Sequence, residues 1–224
     1  MTSVTTHDQS QPPRLQIDDE RSGQVVFVSH CLLNANTRYP GGAFWRGAAT
    51  ELIEPYINNG VGICQLPCPE QLAWGGVAKR SIVWFWGRPR AYRPAKLGLR
   101  LFLAYTRLRY RRLAKAVARQ VADYVANGVE VLGVIGVEGS PSCGVTTTMD
   151  VERAMCALVG RDATDLNQHT VNASVAGALR SGRGIFIDEL QAALVRDGLH
   201  IEFLEHDLGN SVHVELASRD SSRS

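Results

Sequence analysis

The sequence predicts an α/β fold, a single-domain three-layer sandwich around a mostly parallel sheet of the Rossmann-like kind. Apolar runs of strand length alternate along the chain with segments of helical spacing, which is typical of strands joined by helical crossovers. The chain has 224 residues, of which 45% are hydrophobic. That length suits one well-buried core and is short for two. Three of the apolar runs also end at a cysteine, which indicates a shared position in one sheet.

The first part of the chain alternates predicted strands with predicted helices. Each predicted strand is a short apolar run, and the main predicted helix has apolar residues three or four positions apart. Turn residues between the first strand and the first helix predict a loop. The predicted elements are a strand at 24–29, a loop at 32–42, a helix at 48–57, a strand at 61–66 and a short helix at 69–74.

A long segment of helical spacing without proline, residues 95–126, dominates the middle of the chain. Asn127-Gly128 follows it and is typical of a left-handed helix cap. An apolar strand at 129–137 comes next. The remaining predictions are a helix at 151–158, a loop at 159–168, a helix at 170–179, a strand at 184–187, a helix at 188–197 and a strand at 200–204.

The two ends of the chain differ in composition from the middle. Residues 1–22 and 217–224 are rich in polar and charged residues, and we expect disordered tails around a domain at 23–216. The polar start lacks the apolar segment of a signal peptide, and no run reaches the ~18 apolar residues that span a bilayer. Five cysteines in a chain without a leader favour the reducing cytoplasm, with thiols that are free or bound to metal.

Three cysteines, Cys31, Cys68 and Cys143, each come just after a predicted strand. If these strands are parallel neighbours, the three thiols meet at the carboxyl edge of the sheet, where open α/β folds place their sites. Cysteine is also a common small core residue, so each of them alone fits plain burial. Cys64 lies inside a predicted strand and Cys156 inside a predicted helix, and we expect both in the core.

Three thiols at one edge leave several chemistries open. One is zinc, with a water molecule or His30 as the fourth ligand. Another is an iron–sulfur cluster, which thiolates favour. A third is a nucleophilic Cys143 with His30 or His169 as its base, which leaves the other two cysteines without a role. The spacing of the cysteines alone does not choose among these.

Three motifs in a fixed order connect the chain with a known family. They are Cys31-Leu32-Leu33-Asn34 with Arg38-Tyr39-Pro40-Gly41, Cys68-Pro69-Glu70 before Gly75-Gly76, and Ser140-Pro141-Ser142-Cys143-Gly144. Over about residues 24–144 the chain resembles the 2-thiouracil desulfurase family, formerly a domain of unknown function. That family has glycine at the position of Asn34, aspartate at that of Pro40, and a Pro-Arg segment where this chain has Ala78-Lys79-Arg80.

The resemblance implies a [4Fe-4S] cluster held by Cys31, Cys68 and Cys143, with one iron left open to substrate. It implies a hydrolase, a desulfurase (desulfidase) that removes sulfide from a thiocarbonyl compound such as a thiolated pyrimidine without redox change. Glu70 would be the acid–base group, although a carboxylate after Pro69 also suits a helix start. Ser140 and Ser142 would bond the substrate or the cluster, or serve as turn and cap residues.

A basic stretch lies between the second and third cysteine motifs. Residues 79–119 carry thirteen lysines and arginines, and no aspartate or glutamate occurs from 71 to 122. Residues 79–112 form an aromatic and basic insertion relative to the family. The stretch suits nucleic acid or an anionic membrane surface as partner, and equally a solvated helix face or a subunit contact. The alternative function is therefore a non-catalytic iron–sulfur or zinc protein that binds nucleic acid through this stretch.

Overall fold

The computed structural model describes residues 19–81, 93–158, 161 and 167–207. Within these residues, a four-stranded sheet has the order β2–β1–β3–β6, and every neighbouring pair is parallel. Its strands are β1 (Gln24–Val28), β2 (Gly62–Gln65), β3 (Glu130–Val137) and β6 (Phe203–His206). The predicted fold class is confirmed, since the sheet is parallel and is flanked by helices.

Helices precede or follow each of these strands. The third helix begins at Pro69, where the missing amide hydrogen of proline costs nothing because amides in the first turn have no partner within the helix. The side chain of Cys68 caps this helix, since its Sγ accepts a hydrogen bond from Gln71 N at 3.4 Å. The helices are α1 (His30–Leu33), α2 (Thr50–Asn58), α3 (Pro69–Ala73), α4 (Arg93–Ala126), α5 (Val151–Leu158), α6 (Gln168–Ala176) and α7 (Ile185–Arg196), with a 3-10 turn at Ala35–Thr37.

The central strand β1 separates two apolar layers. Phe27 points to a layer that includes Tyr110 of α4 and Leu190 of α7, and all three side chains are buried. Val26 and Val28 point to the other layer, which includes Tyr56 of α2. Side chains alternate along a strand, so one short run supplies both faces of the sheet. The three-layer arrangement that the sequence predicts is therefore present.

The loop after β3 returns against the strand that it leaves. Val137 N donates to the carbonyl oxygen of Cys143 at 2.9 Å. A Cβ atom at Gly136 would lie 2.3 Å from that same oxygen, and a Cβ at Gly144 would lie 1.9 Å from the carbonyl oxygen of Thr147. Only glycine fits at these two positions, and the close approach fixes the Cys143 backbone beside the end of β3.

The predicted strand at 184–187 is wrong, because Ile185 begins the helix α7. Three apolar residues, two of them β-branched, give a strand-like pattern, but the backbone here binds the Cys143 loop instead of a strand. Ile185 N donates to Pro141 O at 3.0 Å, and the amides of Phe186 and Ile187 donate to Ser142 O at 3.0 and 3.2 Å. The carbonyl groups of this loop thus accept hydrogen bonds from the first amides of α7, as the carbonyl groups of a preceding helical turn would.

Other differences from the predictions are local. The predicted loop at 32–42 starts with α1 and the 3-10 turn, and two strands were missed, β4 (Thr147–Met149) and β5 (Leu179–Ser181), which form an antiparallel pair. Such three-residue strands are too short to show a pattern.

The predicted helix at 170–179 is displaced toward the N-terminus. Most of the predicted tails, most of the loop at 159–168 and residues 82–92 of the basic insertion lie outside the described residues.

Among the described residues, none of the helices combines the length and hydropathy that crossing a bilayer requires. The long helix α4 instead carries many charged residues.

Glu205 of β6 holds the segment that follows Cys143. Its Oε1 accepts from the amides of Val145, Thr146 and Thr147 at 2.6, 3.0 and 3.3 Å, and its Oε2 accepts from both threonine hydroxyls. Burial alone would raise the pKa of Glu205, but these hydrogen bonds outweigh it and hold the pKa below its ordinary value. The carboxylate form is therefore the one that the fold binds.

We expect Glu205→Gln to lower the free energy of unfolding by about 2 kcal/mol at neutral pH, since charge-assisted hydrogen bonds to three amides are lost. A carboxyl group with a depressed folded pKa stabilises the fold above its unfolded pKa, and this contribution disappears as pH falls toward the folded value. The difference between wild type and variant should therefore shrink in acid. Urea denaturation across a pH series measures this, with Glu202→Gln at an exposed site as control. Equal stabilities at pH 7 would contradict it.

Candidate functional site

The three cysteines that follow strands lie at the same edge of the sheet. Cys31 is in α1 directly after β1, Cys68 precedes α3 after β2, and Cys143 is in the loop after β3. Since β2 and β3 are the two neighbours of β1, the three strand ends are adjacent. All three side chains line one cavity of about 350 Å³. The predicted convergence at the carboxyl edge is therefore present in the fold.

The cavity holds these thiols in their protonated form when no cation is present. Burial, and then the neighbouring thiolate of Cys31, raises the pKa of Cys143 far above its ordinary value. Burial and the charge of Glu70 raise the pKa of Cys68 to about 11. Burial also raises the pKa of Cys31, against the opposing charge of Arg38. A metal centre that binds the thiolates would reverse this balance, since metal binding releases the thiol protons.

Hydrogen-bond donors reach two of the three sulfur atoms. The Gln71 amide described above donates to Cys68, whereas Ser142 Oγ, which lies 3.6 Å from Cys143 Sγ, gives its hydrogen to Glu70. Arg38 Nη1 lies 4.0 Å from Cys31 Sγ. Donors of this kind stabilise thiolate ligands and tune the clusters that they hold. The donor set therefore fits a soft, positively charged centre.

Among the described residues, no group of three or more His, Cys, Asp or Glu side chains is placed to hold a single metal ion. This gives no support to zinc bound by the cysteines with His30, although His30 also lines the cavity. The thiolates of a cluster bind different iron atoms and need not meet at one point. The cavity as a whole, and not a single coordination point, is therefore the feature that the cysteines share.

A nucleophilic Cys143 does not fit the observed surroundings. Reactive cysteines have a lowered pKa and a nearby base, whereas the pKa of Cys143 is raised. His169, one candidate base, is an exposed residue of α6. Burial and the charge of Lys79 lower the pKa of His30, the other candidate, so it carries no cationic charge that would lower the thiol pKa.

Glu70, the predicted acid–base residue, forms an ion pair inside the cavity. Its Oε2 lies 2.6 Å from Lys79 Nζ, and the two side chains are 13% and 6% exposed. Burial opposes the charge of Lys79, but Glu70 and the nearby cysteines outweigh it and leave the pKa of Lys79 raised. The ammonium group also lies 6.0 Å from the ring centre of Trp74. Lys79 is therefore held as a cation beside Glu70.

Lys79 was not predicted as a site residue, and it was named only in the basic stretch and at the position of the family's Pro-Arg segment. The chain returns toward α3 because Gly75 and Gly76 adopt positive φ angles of 89° and 84°. Lys79 itself has φ of 49°, in the left-handed region that lysine rarely adopts. The Gly75-Gly76 pair was the available sequence signal that the chain reverses direction after α3. It does not show which later residue comes back into contact with Glu70.

Ser140 and Ser142 take different roles beside Glu70. Ser142 Oγ donates to Glu70 Oε1 at 2.9 Å, and this uses its one hydrogen. Ser140 Oγ lies 3.2 Å from Ser142 Oγ and accepts from the Cys143 amide at 3.0 Å. Ser140 is therefore a turn residue as well as a neighbour of the cavity. A continuous chain of hydrogen bonds joins Ser140, Ser142, Glu70 and Lys79.

The remaining cysteines differ from each other. Cys64 is part-buried in β2, where its thiol donates to the hydroxyl of Tyr124 at 3.4 Å. The prediction that Cys156 lies in the core is wrong, because it is exposed. It lies in α5, whose buried side is formed by Ala154, Met155 and Leu158, and position 156 falls outside that stripe.

The described part of the basic stretch is divided between two faces of α4. Arg100 pairs with Glu152, and Arg107 and Arg111 pair with Glu189, at distances of 3.0, 3.2 and 3.5 Å. The outward face has exposed apolar residues in its first half and exposed basic residues in its second half. At helical spacing these are Leu97, Leu101, Tyr105 and Leu108, followed by Arg112, Lys115 and Arg119.

No family model and no solved structure matches the chain. It is similar to an uncharacterized protein of Methanocaldococcus jannaschii, MJ0003, with 40% identity over 52 residues. These residues are 23% of this chain and 33% of that protein, so the match spans about a third of the length of the curated relative. The name of that protein states no activity, and the desulfurase family therefore stays a proposal.

We expect Lys79→Met to lower the free energy of unfolding by about 3 kcal/mol, because it leaves the Glu70 carboxylate in the cavity without its cation. The double variant Lys79→Met with Glu70→Gln should recover part of that loss. Urea denaturation of the protein without added metal measures both. Arg100→Met is the control. It breaks the exposed ion pair with Glu152, and we expect it to change the free energy of unfolding by only about 0.5 kcal/mol. A loss no larger than the control's would contradict the prediction.

Proposed function

We propose that this protein is an iron–sulfur-dependent desulfurase, or desulfidase, that removes sulfur hydrolytically from a thiocarbonyl compound such as a thiolated pyrimidine. The observation that carries the proposal is that Cys31, Cys68, Cys143 and Glu70 line one cavity at the carboxyl ends of adjacent strands. The motif resemblance over about residues 24–144 supports the same assignment. Neither depends on the basic stretch.

Cys31, Cys68 and Cys143 are the residues that would hold a [4Fe-4S] cluster, since three thiolates leave one iron without a protein ligand. When bound, such a cluster supplies a soft Lewis-acid site suited to the sulfur of a thiocarbonyl group. Three thiolates and Glu70 bring negative charge to the cavity. Lys79 and Arg38 offset part of it, and both line the same space.

Glu70 is the residue that moves protons in this proposal. Ser142 holds Oε1 and Lys79 holds Oε2, so the carboxylate has a fixed orientation and keeps lone pairs for a water molecule. The carboxylate accepts a proton from water as the water oxygen attacks the thiocarbonyl carbon. It then returns this proton to the departing sulfur. The C–S bond breaks as the second water hydrogen passes from the new C–OH group through the same carboxylate to the sulfur. A C=O bond replaces the C–S bond, and the products are a carbonyl compound and hydrogen sulfide.

No electron donor or acceptor is needed for this reaction, because carbon keeps its oxidation state. Ser142 is a positioning residue, since its hydroxyl acts on Glu70. Ser140 donates to Ser142 and so fixes the direction of the Ser142 hydroxyl. Lys79 is a second positioning residue, since its ammonium group holds Glu70 Oε2.

We expect oxygen-free reconstituted protein to be brown and to contain about four iron and four sulfide per chain. Cys31→Ser, Cys68→Ser and Cys143→Ser should each lose the colour and most of the iron, because each removes one of the thiolates. Cys64→Ser and Cys156→Ser are matched controls and should keep both. Iron and sulfide analysis with visible absorption measures this. A colourless protein with stoichiometric zinc would instead support the non-catalytic alternative.

We expect Glu70→Gln to keep the iron content but to lower the release of sulfide from 2-thiouracil by about 100-fold or more, the usual range for loss of an acid–base group. Glu54→Gln, at an exposed position of α2, is the control. Sulfide and uracil are quantified in parallel. Full turnover by the iron-loaded Glu70→Gln variant would refute the role given to Glu70.

A second candidate function is attachment of α4 to an anionic lipid surface. The specific observation is the exposed row Leu97, Leu101, Tyr105 and Leu108, with 51–64% of each residue accessible. Leucines of this kind enter a bilayer interface while arginines bind the phosphates. Nucleic acid phosphates match the basic half of the face but not the leucines. The lipid surface satisfies both halves at once.

We expect the full chain to co-sediment with vesicles that contain phosphatidylglycerol and not with pure phosphatidylcholine. Leu101→Ser with Leu108→Ser should remove binding, and Arg112→Gln with Lys115→Gln and Arg119→Gln should weaken it by about 1 kcal/mol per charge. Val195→Ser is the control, since it changes an exposed apolar residue on α7. Binding to single-stranded RNA instead, or a dimer that these leucine variants dissociate, would refute the lipid assignment.

A further inference from the structure

The cavity that holds the three cysteines extends beyond them into an apolar region. Its other walls come from β4, α5, α6 and β5, none of which carries a cysteine motif residue. The apolar lining includes Met149, Val151, Met155, Leu158, Val171 and Val175. The total volume of about 350 Å³ lies within the usual range for small-molecule sites.

The positive charges of the described lining already have contacts within the chain. Lys79 pairs with Glu70, and Arg38 donates from Nε to the carbonyl oxygen of Gly42. The Arg38 guanidinium also lies 5.6 and 5.3 Å from the ring centres of Phe44 and Trp45. A phosphate needs several free donors. A phosphorylated ligand would therefore have to compete with Glu70 for Lys79.

The polar groups on the apolar side are also satisfied within the chain. Tyr39 donates from its hydroxyl to Asn172 Oδ1 at 3.0 Å, and Asn172 Nδ2 donates to the carbonyl oxygen of Gly41 at 3.0 Å. Since these atoms bind each other, they offer little to a ribose hydroxyl. The carboxylates of Glu70 and Glu138 line the cavity too and would repel an anion.

We infer that the substrate is an uncharged thiocarbonyl compound that carries an apolar aryl or alkyl group, and not a thiolated nucleotide. Two regions of one cavity define this class: the thiols and Glu70 face the C=S group, and the apolar walls bind the hydrocarbon part. The thiocarbonyl group in this assignment rests on the proposed function. The preference for an apolar, uncharged ligand rests on the residues that form the cavity walls. Met149 and Met155 add adaptability, since methionine fits ligands of varied shape.

The oxygen analogues of such substrates bind without reacting, and they test the walls separately from the chemistry. Isothermal titration of the full chain, before and after iron loading, compares benzamide, 4-ethylbenzamide, 4-butylbenzamide, uracil and uridine 5′-monophosphate. We expect affinity to rise by about fourfold per added methylene until the cavity is filled. We expect uridine 5′-monophosphate to bind at least tenfold more weakly than 4-butylbenzamide.

Substitutions in the apolar wall test whether the rise of affinity with chain length comes from binding in this cavity. Val171→Thr keeps the shape of a residue that is 7% exposed and adds a hydroxyl, and Met155→Gln makes a similar change on α5. Each variant should reduce by about tenfold the affinity that 4-butylbenzamide gains over benzamide. Each should change the affinity for benzamide itself only slightly. Ile57→Gln, at an exposed position of α2, is the control and should leave the series unchanged. Using two wall variants keeps the test valid if one of them fails to fold.

The outcomes separate this inference from the proposed function. Sulfide release from thiobenzamides that rises with chain length supports both. A chain-length trend in benzamide binding without any turnover would refute the desulfurase and leave the apolar site standing. Turnover of thiouracil, with uridine 5′-monophosphate bound as tightly as 4-butylbenzamide or with no chain-length trend, would overturn the inference and leave the desulfurase standing.

Discussion

The ion pair between Glu70 and Lys79 is the interaction on which the site depends. A carboxylate that is 13% exposed is costly unless a cation accompanies it, and Lys79 supplies one at 2.6 Å. The pair also joins separate segments, since Glu70 belongs to α3, Lys79 to the turn after it, and Ser142 to the loop after β3. This pair lies in the same cavity of about 350 Å³ as the three thiols.

The parallel sheet determines which segments meet at this cavity. Because β1 lies between β2 and β3, the residues that follow these three strands come together at one edge of the sheet. Close packing then fixes the details. Gly136 lets the carbonyl group of Cys143 approach β3, and Glu205 of β6 binds the next three amides. The antiparallel pair β4–β5 and the helices α5 and α6 complete the cavity with apolar walls.

The sequence predicts the sheet and the position of the cysteines well, because both follow from short apolar runs that end at a recognisable residue. It does not predict Lys79, whose place depends on two glycines with positive φ and on its own left-handed backbone. It misassigns Ile185-Phe186-Ile187, since backbone contacts with the Cys143 loop override the strand-like pattern. The exposure of Cys156 depends on which side of α5 faces the cavity, and a helix of eight residues shows this only weakly.

The start of α7 has a further consequence for the site. Gly184, Ile185, Phe186 and Ile187 donate to the carbonyl groups of the Ser140–Gly144 loop, and Glu189 of the same helix binds Arg107 and Arg111. One helix therefore serves two regions of the fold, because its first turn binds the loop that carries Cys143 and its second turn binds the basic side of α4.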